Sequence, residues 1–129
     1  DFYEVRYDDK AESELEFCKK MYKNHAINSK NMNTVKSVIL DISGGGIRFS
    51  LSTPLEEGTY FMAQFSLALE ECTQQFNIVC KVINCTQSLD YADRYFARSK
   101  FIFDRMTERE KIVRFVFEEE RRIRRREME

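Results

Sequence analysis

The residues with chemical potential gather in one short stretch, Asp41-Ile42-Ser43-Gly44-Gly45-Gly46-Ile47-Arg48. It holds a carboxylate acceptor (Asp41), a hydroxyl that donates and accepts (Ser43), three consecutive glycines and a guanidinium (Arg48). Consecutive glycines carry an entropic cost, so they are expected where the backbone takes positive φ or where another group must come close to it. Bare backbone flanked by mixed polar groups suits a planar, anionic ligand such as a nucleotide. A plainer alternative stays open on the same residues: a tight β-hairpin with a bulge, in which Asp41 and Ser43 bond to their own turn.

Elsewhere the reactive residue types are scattered. Four cysteines (Cys18, Cys72, Cys80, Cys85) form no CxxC pair, and the sole histidine, His25, lies in a polar stretch. The paired spacing of a structural zinc site is missing, and nothing marks a base or an oxyanion hole beside a thiol. Cys80 shares the phase of Phe76, Ile78 and Val82 and reads as a small core residue. No clustered acid–base pair stands out, so no enzyme, metal or cofactor is expected, and reduced thiols fit the cytoplasm. The run Arg121-Arg122-Ile123-Arg124-Arg125-Arg126 reads as a solvated helix end favoured by the helix dipole, with acidic lipid or nucleic acid as the other option. No nucleic-acid polymer is taken as a partner. Arg94 and Arg98 stand before and within the last strand, either near a ligand on the sheet face or simply at the surface.

These side chains need a scaffold. The 129 residues suffice for one domain, with 43% apolar residues for a core, 33% charged residues and a net charge of −1. No apolar run approaches the roughly 18 residues of a membrane span. The chain opens at Asp1 inside a strand-like segment, 2–7, and is expected to be a fragment of something longer. Residues 11–18 alternate, with Ala11, Ser13, Leu15 and Phe17 on one side, and 19–33 reads as a long polar loop. Residues 34–42 are apolar in both phases, which predicts a strand buried on both faces or at a barrel closure. Alternation then gives inward faces Ile47/Phe49/Leu51, Phe61/Ala63/Phe65/Leu67, Phe76/Ile78/Cys80/Val82 and Ala97/Ser99/Phe101/Phe103, separated by turns. A helix over about 107–126 follows, with Thr107 and Glu110 as a capping box, an apolar stripe Ile112, Val113, Val116 and Phe117, and pairs Glu118–Arg122 and Glu120–Arg124. Six or seven short strands over about 2–104 predict an all-β, antiparallel sheet closed into a barrel, with one C-terminal helix, in a single domain over 1–129. The lack of βαβ alternation disfavours a Rossmann-type domain.

Asp41-x-Ser43-x-x-Gly46 resembles the (D/N)xSxxG signature of PilZ domains, bacterial receptors for cyclic di-GMP. The resemblance extends to the strand Ile47-Arg48-Phe49, the turn Leu55-Glu56-Glu57-Gly58, the strand Lys81-Val82-Ile83 and the helix Arg109-Glu110-Lys111-Ile112-Val113-Arg114-Phe115-Val116-Phe117. It covers essentially the whole chain and looks most like the C-terminal half of flagellar-brake-type PilZ proteins. It implies that Asp41 and Ser43 hydrogen-bond a guanine edge and a phosphate, and that Gly46, beside Gly45 and Arg48, lets the ribose–phosphate ring approach. The chemistry agrees: a carboxylate accepts from guanine N1–H and N2–H, and a hydroxyl or amide donates to phosphate.

The family's second motif, RxxxR, departs from its pattern. Asp1-Phe2-Tyr3-Glu4-Val5 is similar to its tail, which puts the first Arg upstream of Asp1 and Glu4 at the second position. A carboxylate facing a phosphodiester at ~4 Å costs several kcal/mol at an effective dielectric near 20, before solvent screening. Arg6, on the same face of the strand, is the residue placed to substitute in part. The resemblance thus implies a non-enzymatic second-messenger receptor for cyclic di-GMP, with output in motility or exopolysaccharide. Its partners would be an upstream domain of the same chain, or a motor or synthase component. The ligand would act by joining residues 1–6 to the 41–46 loop. The alternative is a degenerate PilZ module that keeps the fold, binds no nucleotide and serves as a protein-interaction adaptor.

Overall fold

A computed structural model describes residues 2–5, 14–28, 37–69 and 72–128. The alternating segments form strands: β1 (Phe2–Val5), β2 (Val38–Ile42), β3 (Gly46–Leu51), β4 (Tyr60–Ala68), β5 (Thr73–Gln87) and β6 (Tyr95–Ile102). Two helices accompany them, α1 (Glu14–Asn28) and α2 (Met106–Met128). Every neighbouring pair is antiparallel, in the order β1-β4-β5-β6-β3-β2. Strands β2–β6 make a curled half-barrel, and the short β1 lies against β4 at one edge.

The concave face carries the main core, built from the expected phases: Ile47, Phe49 and Leu51 on β3, Phe61, Ala63 and Leu67 on β4, Phe76, Ile78, Cys80 and Val82 on β5, and Ala97 and Phe101 on β6. Among the described residues the sheet does not close on itself, so the barrel expected from the sequence is open. Helix α2 does part of the work of a closing strand: Ile112 is fully buried in this core, and Phe115 packs beside it. The helix starts at Met106, which puts Thr107 inside its first turn rather than at the cap. Its surface pairs also differ from those expected. Glu118 reaches back to Arg114 (3.0 Å), and Arg122 pairs with Glu119 (2.5 Å).

Two segments depart from the sequence reading. Residues expected as a strand (11–18) and a loop (19–33) contain α1. Its buried residues Phe17, Cys18 and Met21, with half-buried Tyr22, recur at helical spacing. The alternation over 11–18 stops at Phe17, and the helical stripe continues through Met21 and Tyr22. The second departure is β2, expected to be buried on both faces. It is the last strand of the order, and Val38 and Leu40 are 58% and 47% exposed. An apolar run in both phases fits an edge as well as a centre, because position in the sheet is set by pairing rather than by local pattern.

Helix α1 packs on the convex face. Phe17, Cys18 and Met21 join Tyr60, Met62 and Val79 in a second cluster, with Phe17 edge-on to Tyr60 at 5.1 Å between ring centres. The Tyr22 hydroxyl pins the helix, donating to the Ile102 carbonyl and accepting from Val79 N–H at 3.0 Å. At the helix start Glu14 accepts from the Tyr60 hydroxyl and pairs with Lys81 at 3.2 Å. The convex face of the β5, β6, β3 and β2 half carries a groove instead.

Candidate ligand groove

A bulge positions the carboxylate. Strand β2 pairs Ile39 with Phe49 and then Asp41 with Arg48, so the register slips by one residue between them. In an unbroken ladder Asp41 would face Ile47, which points into the core; the slip sets it opposite exposed Arg48 instead. A second irregularity on β5, between Val82 and Asn84, sets Asn84 opposite Arg98. Asp41, Arg48, Arg98 and Asn84 therefore form one row across β2, β3, β6 and β5.

The loop between β2 and β3 holds itself and is fastened to β6. Ser43 N–H donates to the Gly46 carbonyl at 2.9 Å, and Ser43 Oγ accepts from the N–H groups of Gly45 and Gly46, both at 3.3 Å. The Gly45 carbonyl accepts from Phe101 N–H at 2.8 Å. The self-bonding hairpin read from the sequence is thus present for Ser43. The Asp41 side chain makes no hydrogen bond or ion pair among the described residues.

None of the three loop glycines has positive φ; among the described residues only Gly58 does, at 84°. The loop glycines answer to space instead. A Cβ on Gly46 would lie 2.0 Å from the Ser99 carbonyl oxygen on β6, and one on Gly44 would lie 2.9 Å from a Val113 methyl on α2. A Cβ on Gly45 would meet only Ser43 Oγ at 3.9 Å. Gly44 and Gly46 let neighbouring elements close in, whereas Gly45 leaves open surface.

Beneath the loop lies an open groove of about 1030 Å³, just above the range typical of small-molecule sites. Asp41, Ser43, Gly45, Gly46 and Arg48, all selected from the sequence, line it together. Arg98 lines it too; Arg94 does not, its backbone closing the loop before β6 through bonds with Ser88 and Tyr91. Residues missed in the sequence complete the wall: Lys100 as a cation, Phe96 and Ile83 as exposed apolar surface. Phase carried the signal, because Phe96, Arg98 and Lys100 alternate with the inward set Ala97, Ser99 and Phe101.

Residue Glu4 sits elsewhere. On β1 it pairs with Phe61 at the sheet edge opposite β2, four strand spacings or about 19 Å along the sheet from β3. Arg6 lies outside the described residues. His25 is in α1 rather than in a loop. Burial pushes the thiols of Cys18, to about 11, and Cys80 up, which suits inert packing groups rather than nucleophiles. No cluster able to hold a metal occurs among the described residues, and none of their helices is long and apolar enough to cross a membrane.

The chain is thus a curled antiparallel sheet with a polar groove on its convex face, beneath a glycine loop that bonds to itself. The family model described as PilZ domain matches residues 22–118, three-quarters of the chain, and the protein belongs to that family, one of cyclic di-GMP receptors. The match starts at Tyr22 and does not reach residues 1–6, where the resemblance to RxxxR was drawn. No curated protein and no solved structure matches the chain.

Proposed function

We propose that this domain is a non-enzymatic receptor for cyclic di-GMP and takes the nucleotide in the groove below the 43–46 loop. One observation carries the reading: five residues chosen from the sequence, Asp41, Ser43, Gly45, Gly46 and Arg48, converge on one concavity of ligand size. Asp41, turned outward by the bulge, accepts from a guanine edge. Gly45 gives the ring open approach, and Ser43, which accepts two loop amides and donates its O–H to the Gly46 carbonyl at a long 3.4 Å, would exchange that weak bond for one to a phosphate oxygen. Exposed Phe96 and Ile83 offer apolar surface to a base. The occupied domain would then act on a motor or synthase component, changing motility or exopolysaccharide output.

Titration calorimetry of the 129-residue chain with cyclic di-GMP tests this. Binding in the micromolar range or tighter is expected, weakened about tenfold or more by Asp41→Ala, the loss of one charge-assisted pair. A folded sample that gives no heat at high micromolar nucleotide overturns it. The adaptor reading draws on a different observation, the apolar strand β2, with Val38 and Leu40 exposed, which among the described residues is an edge suited to strand addition by a partner. It predicts that Asp41→Ala leaves function intact while Val38→Lys removes it.

A further inference from the structure

In the groove, cations outnumber carboxylates three to one: Arg48, Arg98 and Lys100 against Asp41. Their side chains make no ion pair or hydrogen bond among the described residues. The arrangement works against the sheet. Arg48 and Arg98 are direct cross-strand partners, and Lys100 follows Arg98 on the same face, so like charges confront each other where opposite charges would stabilise. Nearby, the same problem is solved. Lys81 faces Lys100 across β5 and β6, but Glu14 neutralises Lys81 at 3.2 Å and the Tyr60 ring lies 5.3 Å from its ammonium. Arg48 has Asp41 as its other cross-strand neighbour and Lys100 feels Glu14 at longer range, but neither reaches ion-pair distance; three cations without a direct counter-ion, in a groove of ligand size, call for an anion supplied from outside.

We infer that Arg48, Arg98 and Lys100 are the phosphate clamp of this domain, so that the sheet itself supplies the cations that bind the two phosphodiesters of the ligand. The inference rests on the receptor reading and deepens it. Arg48 and Arg98 stand one strand apart, and guanidinium groups at that spacing bind phosphate oxygens by paired N–H donors. Lys100 stands opposite Gly46, beside the loop amides, as a point charge for the second phosphate. Phe96, two residues before Arg98 on the same face, leaves a base room to lie between an aromatic ring and a guanidinium.

Calorimetry with cyclic di-GMP on Arg98→Ala, Lys100→Ala, Arg98→Lys and the charge-matched control Lys111→Ala on α2 tests the clamp, each at low and at moderate salt. Arg98→Ala and Lys100→Ala are each expected to weaken binding about tenfold and to flatten its salt dependence. Arg98→Lys should fall between, and Lys111→Ala should match the parent. Melting temperatures for Arg98→Ala should hold or rise, because a like-charge opposition is removed; a structural role would lower them. If the parent binds while Arg98→Ala and Lys100→Ala bind equally well, the clamp is wrong and the receptor reading stands. If the parent itself binds no cyclic di-GMP, both fall.

Discussion

The convex face of the sheet has two halves built from the same alternating strands and put to opposite uses. At the start of β4 and the middle of β5, outward positions are apolar (Tyr60, Met62, Val79), and α1 lies on them with Phe17, Cys18 and Met21. Over β3, β6 and the end of β5, the same outward phase carries Arg48, Arg98, Lys100 and Asn84, and forms the groove. Tyr60 and Met62 therefore contribute to stability, whereas the groove side chains add little and, as like-charge neighbours, subtract from it. Functional sites commonly carry a local energetic penalty of this kind, offset by packing elsewhere.

Breaking the covered half should have the largest effect. Met62 is fully buried under α1, and Met62→Ala should destabilise the domain by about 2–5 kcal/mol, the usual range for such a truncation. Phe96→Ala in the groove removes a partly exposed ring and should shift stability by less than about 1 kcal/mol while weakening nucleotide binding. Denaturant melts followed by circular dichroism read the first effect and calorimetry the second. Equal stability losses for the two would show that the halves do not divide the labour.

Much of this division was legible in the chain. The inward phases of β3 to β6, Cys80 as a core residue and the terminal helix follow from local periodicity, which the structure repeats. Helix α1 was masked by the alternation over 11–18, although Phe17, Cys18, Met21 and Tyr22 carry a helical stripe that runs on into the polar stretch 19–33. The edge position of β2 and the open sheet depend on which strands pair, a non-local property. The slip that turns Asp41 from the core to the groove also escapes sequence pattern, since nothing in Ile39-Leu40-Asp41 announces an extra residue. Lys100 and Phe96 were within reach, being out of phase with residues already assigned inward.

The glycine loop sharpens the comparison at intermediate size. Gly46→Ala places a methyl against the Ser99 carbonyl on a neighbouring strand, where neither backbone yields easily, and should destabilise by about 1–3 kcal/mol or more. Gly45→Ala meets open surface and should change stability by less than about 0.5 kcal/mol, yet weaken cyclic di-GMP binding by crowding the approach. Thermal melts of the two variants, with calorimetry on Gly45→Ala, separate the roles. A Gly46→Ala domain as stable as the parent would mean that β6 does not press on the loop as described.

The smallest effect lies on the boundary between the halves, at Glu14. Its carboxyl is held below its ordinary value of 4.5, first by the hydrogen bond from the Tyr60 hydroxyl and then by Lys81, with burial opposing them. A carboxylate whose folded value is depressed adds stability in full above its ordinary value and loses it as pH falls through the folded one. The melting-temperature gap between the parent and Glu14→Gln should therefore be widest near neutrality and close below pH ~4. The gap will be modest, because the Glu14 side chain is 43% exposed and solvent screens the pair. Glu108 on α2 has the opposite sign, raised first by burial and then by Asp104, but it is common to both proteins and drops out of the difference. A gap that stays constant across the acid range would show that Glu14 secures α1 through packing alone. Lys81 would then gain nothing from the direct ion pair, 3.2 Å long, that sets it apart from Lys100, which Glu14 attracts only at longer range.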